Sequence, residues 1–196
     1  SWKVVMQSSR QGTESRSKFG CVLVNGKDVL IFGGKTSNKR YSDSVLVNIE
    51  NGSLSEGPLN LFEAKSGFGT CVLHSRVHLM LDKLYICGGN NGQDILQSFE
   101  CYDLSTNICT RLPDMHIARD ELALVAMNGE IYAIGGGGKD GQTLRSVEKY
   151  SFSKKKWEFA PDLLIERRAH AAIAFNNRIF VTGGFDGERY LCSCER

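Results

Sequence analysis

Four double glycines divide the chain, each directly after a short apolar run: Gly33-Gly34, Gly88-Gly89, Gly135-Gly136 and Gly183-Gly184. They recur at intervals of 55, 47 and 48 residues, and a period of that length marks a fold assembled from copies of one supersecondary unit. The preceding runs, Val29–Phe32, Leu84–Cys87, Ile131–Ile134 and Ile179–Thr182, are rich in β-branched and aromatic side chains, as buried strands are. The wide first interval is the same unit with about seven additional residues around His74–Met80.

Other positions keep the same phase. Arg119 and Arg167 stand 16 residues before the first glycine of their pair, and Arg16 is one residue off that register. Asn91-Gly92, Asp140-Gly141 and Asp186-Gly187 follow the glycines, and such dipeptides favour tight turns. Glu100-Cys101-Tyr102 corresponds to Glu148-Lys149-Tyr150, and an apolar or aromatic residue lies four before proline at Leu54/Pro58, Cys109/Pro113 and Trp157/Pro161. One unit is therefore four strands: a (Ala169–Phe175), b (Arg178–Thr182), c (Val147–Ser151) and d (Lys156–Phe159). Helical periodicity is absent. Glycine, 21 of 196 residues, exceeds the ordinary share of about 7% because strand exits and turns consume it.

Four strands per unit, a Gly-Gly closing the second, and a Tyr and Trp seven positions apart (Tyr150 and Trp157) resemble the kelch repeat. The resemblance implies an all-β fold, a β-propeller of four-stranded antiparallel blades. Three full blades and partial blades at both ends are expected, at about 17–60, 66–115, 119–163 and 167–196. Residues 1–6, with Trp2 matching Trp157, would be a strand d of another blade or of the closing one. The first unit departs most, with Asn48 where Tyr belongs and Leu54 where Trp belongs, and the second has Cys109 for Trp. Small residues Ala169, Ala171, Ala172 and Ala174 suit the crowded inner strand, while Tyr150 and Trp157 would fill the widening wedge between sheets. Two arrangements follow from the ends: a four-bladed ring closed by the N-terminal strand, or part of a longer propeller, six blades being implied by resemblance.

Charge is nearly balanced, 24 basic against 22 acidic side chains, so the total favours neither nucleic acid nor an anionic membrane. No run of 18 apolar residues predicts a transmembrane helix, and Ser1-Trp2-Lys3-Val4-Val5 lacks the pattern of a signal peptide. Seven cysteines, Cys21, Cys71, Cys87 and Cys101 among apolar neighbours, fit reduced thiols in a cytoplasmic protein. In that compartment the acceptor pattern Asn51-Gly52-Ser53 would be silent.

Strands of a meander alternate direction, so b–c and d–a loops emerge on one face and a–b and c–d loops on the other. The first face carries the candidate partner-binding residues Arg16, Arg40, Tyr41, Arg119, Arg145, Arg167, Arg168, Arg189 and Tyr190. In kelch proteins this face is similar to a peptide-docking bowl, which implies a protein or peptide partner with an acidic motif. For the registered arginines, Arg119 and Arg167 above all, a second reading stands beside it: structural ion pairs that bridge adjacent blades. His170, next to a strand start, reads as a core or rim histidine rather than a general base, and Cys192 and Cys194 as a reduced pair on one strand face.

His74 and His78 are four apart but have no carboxylate or thiolate at metal spacing, so no metal or cofactor is expected. The sequence contains no G-x-S-x-G, H-E-x-x-H or Walker loop, and Gly135–Gly138 leads into a turn and strand rather than a helix. A non-catalytic interaction module is the expectation. The resemblance implies two roles within a longer parent: recruiting substrates to a cullin-type ubiquitin ligase when joined to a BTB domain, or binding actin. A kelch-type enzyme such as a sugar mutarotase is the competing class.

Overall fold

Each apolar run before a double glycine is the second strand of an antiparallel sheet, in a computed structural model that describes residues 15–73 and 83–196. The expected strand around Trp2, the ring closure it would make, and the pair His74 and His78 lie outside these residues. Blade 1 is β1 (Gly20–Val24), β2 (Asp28–Phe32), β3 (Ser44–Asn48) and β4 (Leu54–Glu56). Blade 2 is β5 (Gly69–Leu73), β6 (Lys83–Cys87), β7 (Phe99–Asp103) and β8 (Ile108–Leu112). Blade 3 is β9 (Ala123–Met127), β10 (Glu130–Ile134), β11 (Val147–Ser151) and β12 (Lys156–Ala160). Blade 4 has three strands, β13 (Ala171–Phe175), β14 (Arg178–Thr182) and β15 (Cys194–Glu195).

Strands follow one another in spatial order within every sheet, so each blade is a meander closed by local turns. Asn25-Gly26 and Asn128-Gly129 make the first turns of blades 1 and 3 with both residues at positive φ, the primed geometry that matches strand twist. The inner strands β1, β5, β9 and β13 pack in succession. The fold is thus an all-β propeller of four described blades, the last of them partial.

Apolar alternation fills the spaces between blades. Leu30, Phe32, Leu59 and Leu61 of blade 1 meet Phe68, Leu84, Ile86 and Tyr102 of blade 2. Between blades 2 and 3, Phe99 lies 5.0 Å from both Tyr150 and Trp157, ring centre to ring centre. The Trp157 indole N–H donates to the Pro113 carbonyl at 2.8 Å, so the wedge-filling side chain is also hydrogen-bonded. Blade 1 lacks this aromatic pair, and the pairing register corrects one expectation: Val47, not Asn48, stands opposite Leu54 as Tyr150 stands opposite Trp157. A second correction concerns the inner strand of blade 4. It begins at Ala171; Ala169 precedes it in a left-handed conformation (φ 52°) shared by Lys18, Gly67 and Glu121 at the same place in the other blades. All seven cysteines are free thiols, and burial pushes those of Cys71 and Cys109 up to about 12, far from a reactive thiolate.

A buried cation fastens the linker entering the inner strand in blades 2, 3 and 4. Arg119 is fully buried, and its guanidinium donates to Glu148 Oε1 at 3.0 Å, to the Gly135 and Ser146 carbonyls at 2.8 and 2.7 Å, and to Ser146 Oγ at 3.0 Å. Arg167 repeats the set with Glu195, Gly183 and Ser193. In blade 2 the place belongs to Lys65, fully buried against Glu100 and Ser98. Each glutamate also accepts a backbone N–H from the linker: Phe62 for Glu100, His116 for Glu148 and Leu164 for Glu195. Blade 1 has Val45 at the glutamate register, and Arg16 turns instead to Asp43, 2.7 Å away and half-exposed.

The double glycines do a second job. The second of each pair donates to the carbonyl of the next blade's basic residue: Gly34 to Lys65, Gly89 to Arg119 and Gly136 to Arg167, at 2.8–2.9 Å. Chains this close leave no space for a side chain at the first glycine. A Cβ on Gly88 would stand 2.3 Å from the Arg119 carbonyl oxygen, and one on Gly135 2.5 Å from that of Arg167.

His170 occupies the place held by Phe68 and Leu122 in the neighbouring blades. Both ring nitrogens are buried without a hydrogen-bond partner among the described residues. Burial first, then the Arg167 charge, pull its imidazole down to about 4, with Glu195 opposing.

Removing one partner of a buried ion pair leaves the other charge in the interior. Arg119→Ala or Glu148→Ala should therefore cost about 3–5 kcal/mol in urea unfolding. Arg145→Ala, which breaks an exposed pair with Asp162, should leave the midpoint unchanged. A second outcome follows from His170. Its folded value lies below the ordinary 6.5, so the unfolded chain binds the proton first and stability falls as pH drops from 6.5 towards 4. Between about pH 7.5 and about pH 4.5 this group should remove about 2–3 kcal/mol, and His170→Leu should lose less stability than wild type over that interval by that amount.

Candidate interaction face

The d–a linkers and b–c loops share one face, where each blade adds a small ladder outside its sheet. Ser17, Lys35 and Arg40 bridge in blade 1; Ser66, Asn90 and Ile95 in blade 2; Asp120, Gly137 and Thr143 in blade 3; Arg168, Phe185 and Tyr190 in blade 4. Near the axis the left-handed residues join blade to blade, Gly67 N–H to Lys18 C=O, Glu121 N–H to Gly67 C=O and Ala169 N–H to Glu121 C=O. The Lys18 ammonium pairs with the Glu121 carboxylate across two blades. Backbone bonds on both sides of these loops make the face a rigid platform.

The structure divides the nine candidate residues. Arg119 and Arg167 are buried beneath the face with their guanidinium donors consumed by the scaffold, so the structural ion pair is the arrangement they adopt. Tyr41 is also buried, its ring 3.8 Å beneath the Arg16 guanidinium and 4.7 Å from the Lys39 ammonium. It occupies the place of Leu96, Leu144 and Leu191, each of which donates its N–H to the second glycine of its blade. Arg40 reaches over to blade 2 and donates to Asn90 Oδ1 at 2.8 Å. Arg145 is exposed and paired with Asp162.

Three candidates come together on blade 4. The Arg168 guanidinium lies 5.1 Å over the Phe185 ring, and Phe185 contacts Tyr190 at 5.3 Å. Tyr190 is 88% exposed, and Arg189 beside it projects into solvent, paired with Asp186 at 3.4 Å. An exposed aromatic ring backed by a second ring that carries a guanidinium is an anchor of the kind that carries interface energy. Between blades 2 and 3 the face also holds a cavity of about 260 Å³ lined by Gln97, His116, Gly138, Lys139 and Leu144.

Sequence reasoning missed several residues. Lys65 stands 23 positions before Gly88, which is 16 plus the seven inserted residues, so the insertion hid its register. The acceptors Glu100, Glu148 and Glu195 share a Ser-x-Glu pattern, Ser98-Phe99-Glu100, Ser146-Val147-Glu148 and Ser193-Cys194-Glu195, and that repeat was the available signal. Phe185 had none, since a lone aromatic after a double glycine does not recur. Asp120 sits beneath the platform, where burial, then Glu121, raise its carboxyl above the ordinary range.

This face presents cations, amides and aromatic surface on a fixed support. Among the described residues no group of three or more His, Cys, Asp or Glu is placed to hold a metal, and no helix is long and apolar enough to cross a membrane.

Comparison with known proteins agrees with this architecture. Residues 1–184 match the KLHDC2/KLHL20/DRC7 Kelch-repeats domain. The chain is 25% identical over 144 residues to the human influenza virus NS1A-binding protein, covering 69% of this chain and 21% of that one. It is 31% identical over 110 residues to the kelch repeat and BTB domain-containing protein 2 of cowpox virus (strain GRI-90), covering 56% of this chain and 18% of that one. The chain thus spans about a fifth of the length of the curated relatives it matches. With the repeat, the blades and the profile in agreement, this chain belongs to the kelch-repeat family of β-propellers and is a protein-interaction module.

Proposed function

We propose that the partner is a peptide or protein segment with acidic side chains, docked on the platform of b–c loops and d–a linkers with blade 4 as its anchor. The observation that carries this is the Arg168–Phe185–Tyr190 cluster, its Tyr190 presented to solvent and Arg189 at its edge. Arg189, 80% exposed, keeps donors free beside its pair with Asp186, whereas Arg119 and Arg167 spend theirs on the scaffold. Arg40 and Lys39 of blade 1 extend the positive surface of the platform, and the exposed Asp94 interrupts it.

Within a longer parent, such a platform serves as the substrate-recognising part of a cullin-type ubiquitin ligase adaptor. Support for this is the cowpox relative, whose name couples kelch repeats to a BTB domain. Binding to actin rests on the family resemblance alone and has no residue in its favour here. The partner is read, not transformed, and the surroundings suggested are cytoplasmic, given seven free thiols.

Partner capture from cell extract, compared between wild type and Arg168→Ala/Tyr190→Ala, tests the reading. Loss of the bound protein by at least about 30-fold is expected, the effect of removing a central anchor of about 2 kcal/mol, together with weakening as salt rises. Arg145→Ala is the control and should bind as wild type does. Unchanged capture by a folded double variant would mean that the partner uses another surface.

A further inference from the structure

The three junctions among the described blades close in the same way. The residue just before an inner strand lays its side chain over the first glycine of the preceding blade: Phe68 over Gly33, Leu122 over Gly88 and His170 over Gly135. A Cβ on those glycines would stand 2.7 Å from Phe68, 3.3 Å from Leu122 and 2.9 Å from the His170 imidazole. His170 is held from its own blade as well, its Cβ 2.8 Å from the place that a Cβ on Gly184 would take. Two of the three closing groups are hydrocarbon, and the third is a base.

The closed junction has no place for that base as a cation. Both ring nitrogens are buried without a hydrogen-bond partner among the described residues. The Arg167 and Ile134 carbonyls lie beside the ring without bonding it, and the Arg167 carbonyl already accepts the Gly136 N–H at 2.8 Å. Of the charges around it, Arg167 opposes a positive ring and Glu195 favours one, but Glu195 is engaged by Arg167 at 2.7 Å and by the Leu164 N–H at 2.6 Å. Elsewhere on the linker, Arg168 lies over Phe185 and Glu166 is exposed. From blade 3, Arg119 reaches the Gly135 carbonyl but is matched by Glu148, Glu121 pairs with Lys18, and Asp120 has a carboxyl raised by burial. Strands β9 and β13 carry no charge, and Glu130 of β10 and Arg178 of β14 stand at the far ends of theirs.

We infer that His170 is an acid-sensitive latch: proton uptake by its imidazole opens the junction of blades 3 and 4 while the junction of blades 2 and 3 stays closed. This goes beyond the docking reading and stands whether or not a ligand occupies the platform. Two backbone bonds span the latched junction, Gly136 N–H to the Arg167 carbonyl and Ala169 N–H to the Glu121 carbonyl, both within three residues of His170 on the linker. Arg168, between Arg167 and Ala169, exchanges two backbone bonds with Phe185, so the Arg168–Phe185–Tyr190 cluster moves with the linker when it opens. The folded imidazole titrates at about 4, below the ordinary 6.5, so the closed junction holds the neutral base and the open one binds the proton first. Opening is therefore favoured as pH falls through 6.5, by about 30-fold between about pH 7.5 and about pH 5.

Hydrogen exchange of single amides in the whole chain tests this, read as protection factors so that the intrinsic pH dependence of exchange cancels. Over that interval Gly136 and Ala169 should lose about 30-fold in protection, while Gly89 and Glu121, their counterparts between blades 2 and 3, keep theirs. His170→Leu, which gives this junction the side chain of Leu122, should abolish the loss. His170→Phe, after Phe68, takes its place if the leucine variant does not fold. An equal loss at both junctions would mean that the chain opens as a whole and would overturn the inference. So would full protection of Gly136 and Ala169 in wild type at about pH 5, or a loss that persists without the imidazole.

Discussion

A guanidinium removed from water must be met by oxygen on all sides, and that requirement organises the blades. Arg119 satisfies it with a carboxylate 29 residues away, a hydroxyl, and two carbonyls at the exit of one strand and the entry of the next. Glu148 in turn accepts the N–H groups of His116 and Ile117, so the linker from the preceding blade is tied to the third strand of its own. The Arg119 carbonyl then receives Gly89 from blade 2. One residue thereby fixes a linker, a strand exit and the neighbouring blade, and the loops of the platform inherit their positions from it. Lys65 carries three donors instead of five and, among the described residues, bonds the side chains of Glu100 and Ser98, while Arg16 keeps the carbonyl contacts but is met by a half-exposed aspartate. The fastening is tightest in blades 3 and 4 and loosest in blade 1.

Much of the scaffold was legible because its physics is local. Strands Val147–Ser151 and Arg178–Thr182 begin and end where composition puts them, since turn residues bound an apolar run on both sides. Tyr150 and Trp157 were readable as wedge fillers because residues seven apart around a tight turn face each other across two paired strands. Side-chain direction was not legible. A basic residue just before a strand can turn outward to a ligand or inward to a carboxylate, and the choice for Arg119 depends on Glu148, which comes close only after three strands have folded. Val47 was misplaced by one residue because blade 1 lacks the Tyr and Trp that fix the register elsewhere.

Position within the repeat separates the two kinds of residue more reliably than residue type does. Where the four units agree, the residue belongs to the scaffold: the buried base, the double glycine, the leucine or Tyr41 that returns to the second glycine. Where they disagree, the position is free of the scaffold. Arg40, Ile95, Thr143 and Tyr190 are register equivalents with nothing in common chemically, and all four bridge from the outer side of the platform. A repeat that needs the same contact in every blade keeps the same side chain, whereas a ligand without that symmetry draws a different one from each blade. Registered arginines therefore look like a binding motif in the sequence and are spent on the scaffold, while the unregistered Arg168, Phe185 and Tyr190 stand together on the platform.

Energetics place that cluster above a junction with a polar group in its core. Repeat architectures gain stability from each unit and from each junction between units. At the junction of blades 3 and 4, His170 stands where blades 2 and 3 have Phe68 and Leu122, and its ring nitrogens are buried without hydrogen-bond partners among the described residues. The linker of blade 4 is nevertheless held by a complete set of Arg167 bonds, so the loops carrying Arg168 and Tyr190 are fixed at their base. The platform and the junction beneath it are thereby linked: a ligand that orders these loops stabilises the blade that presents them.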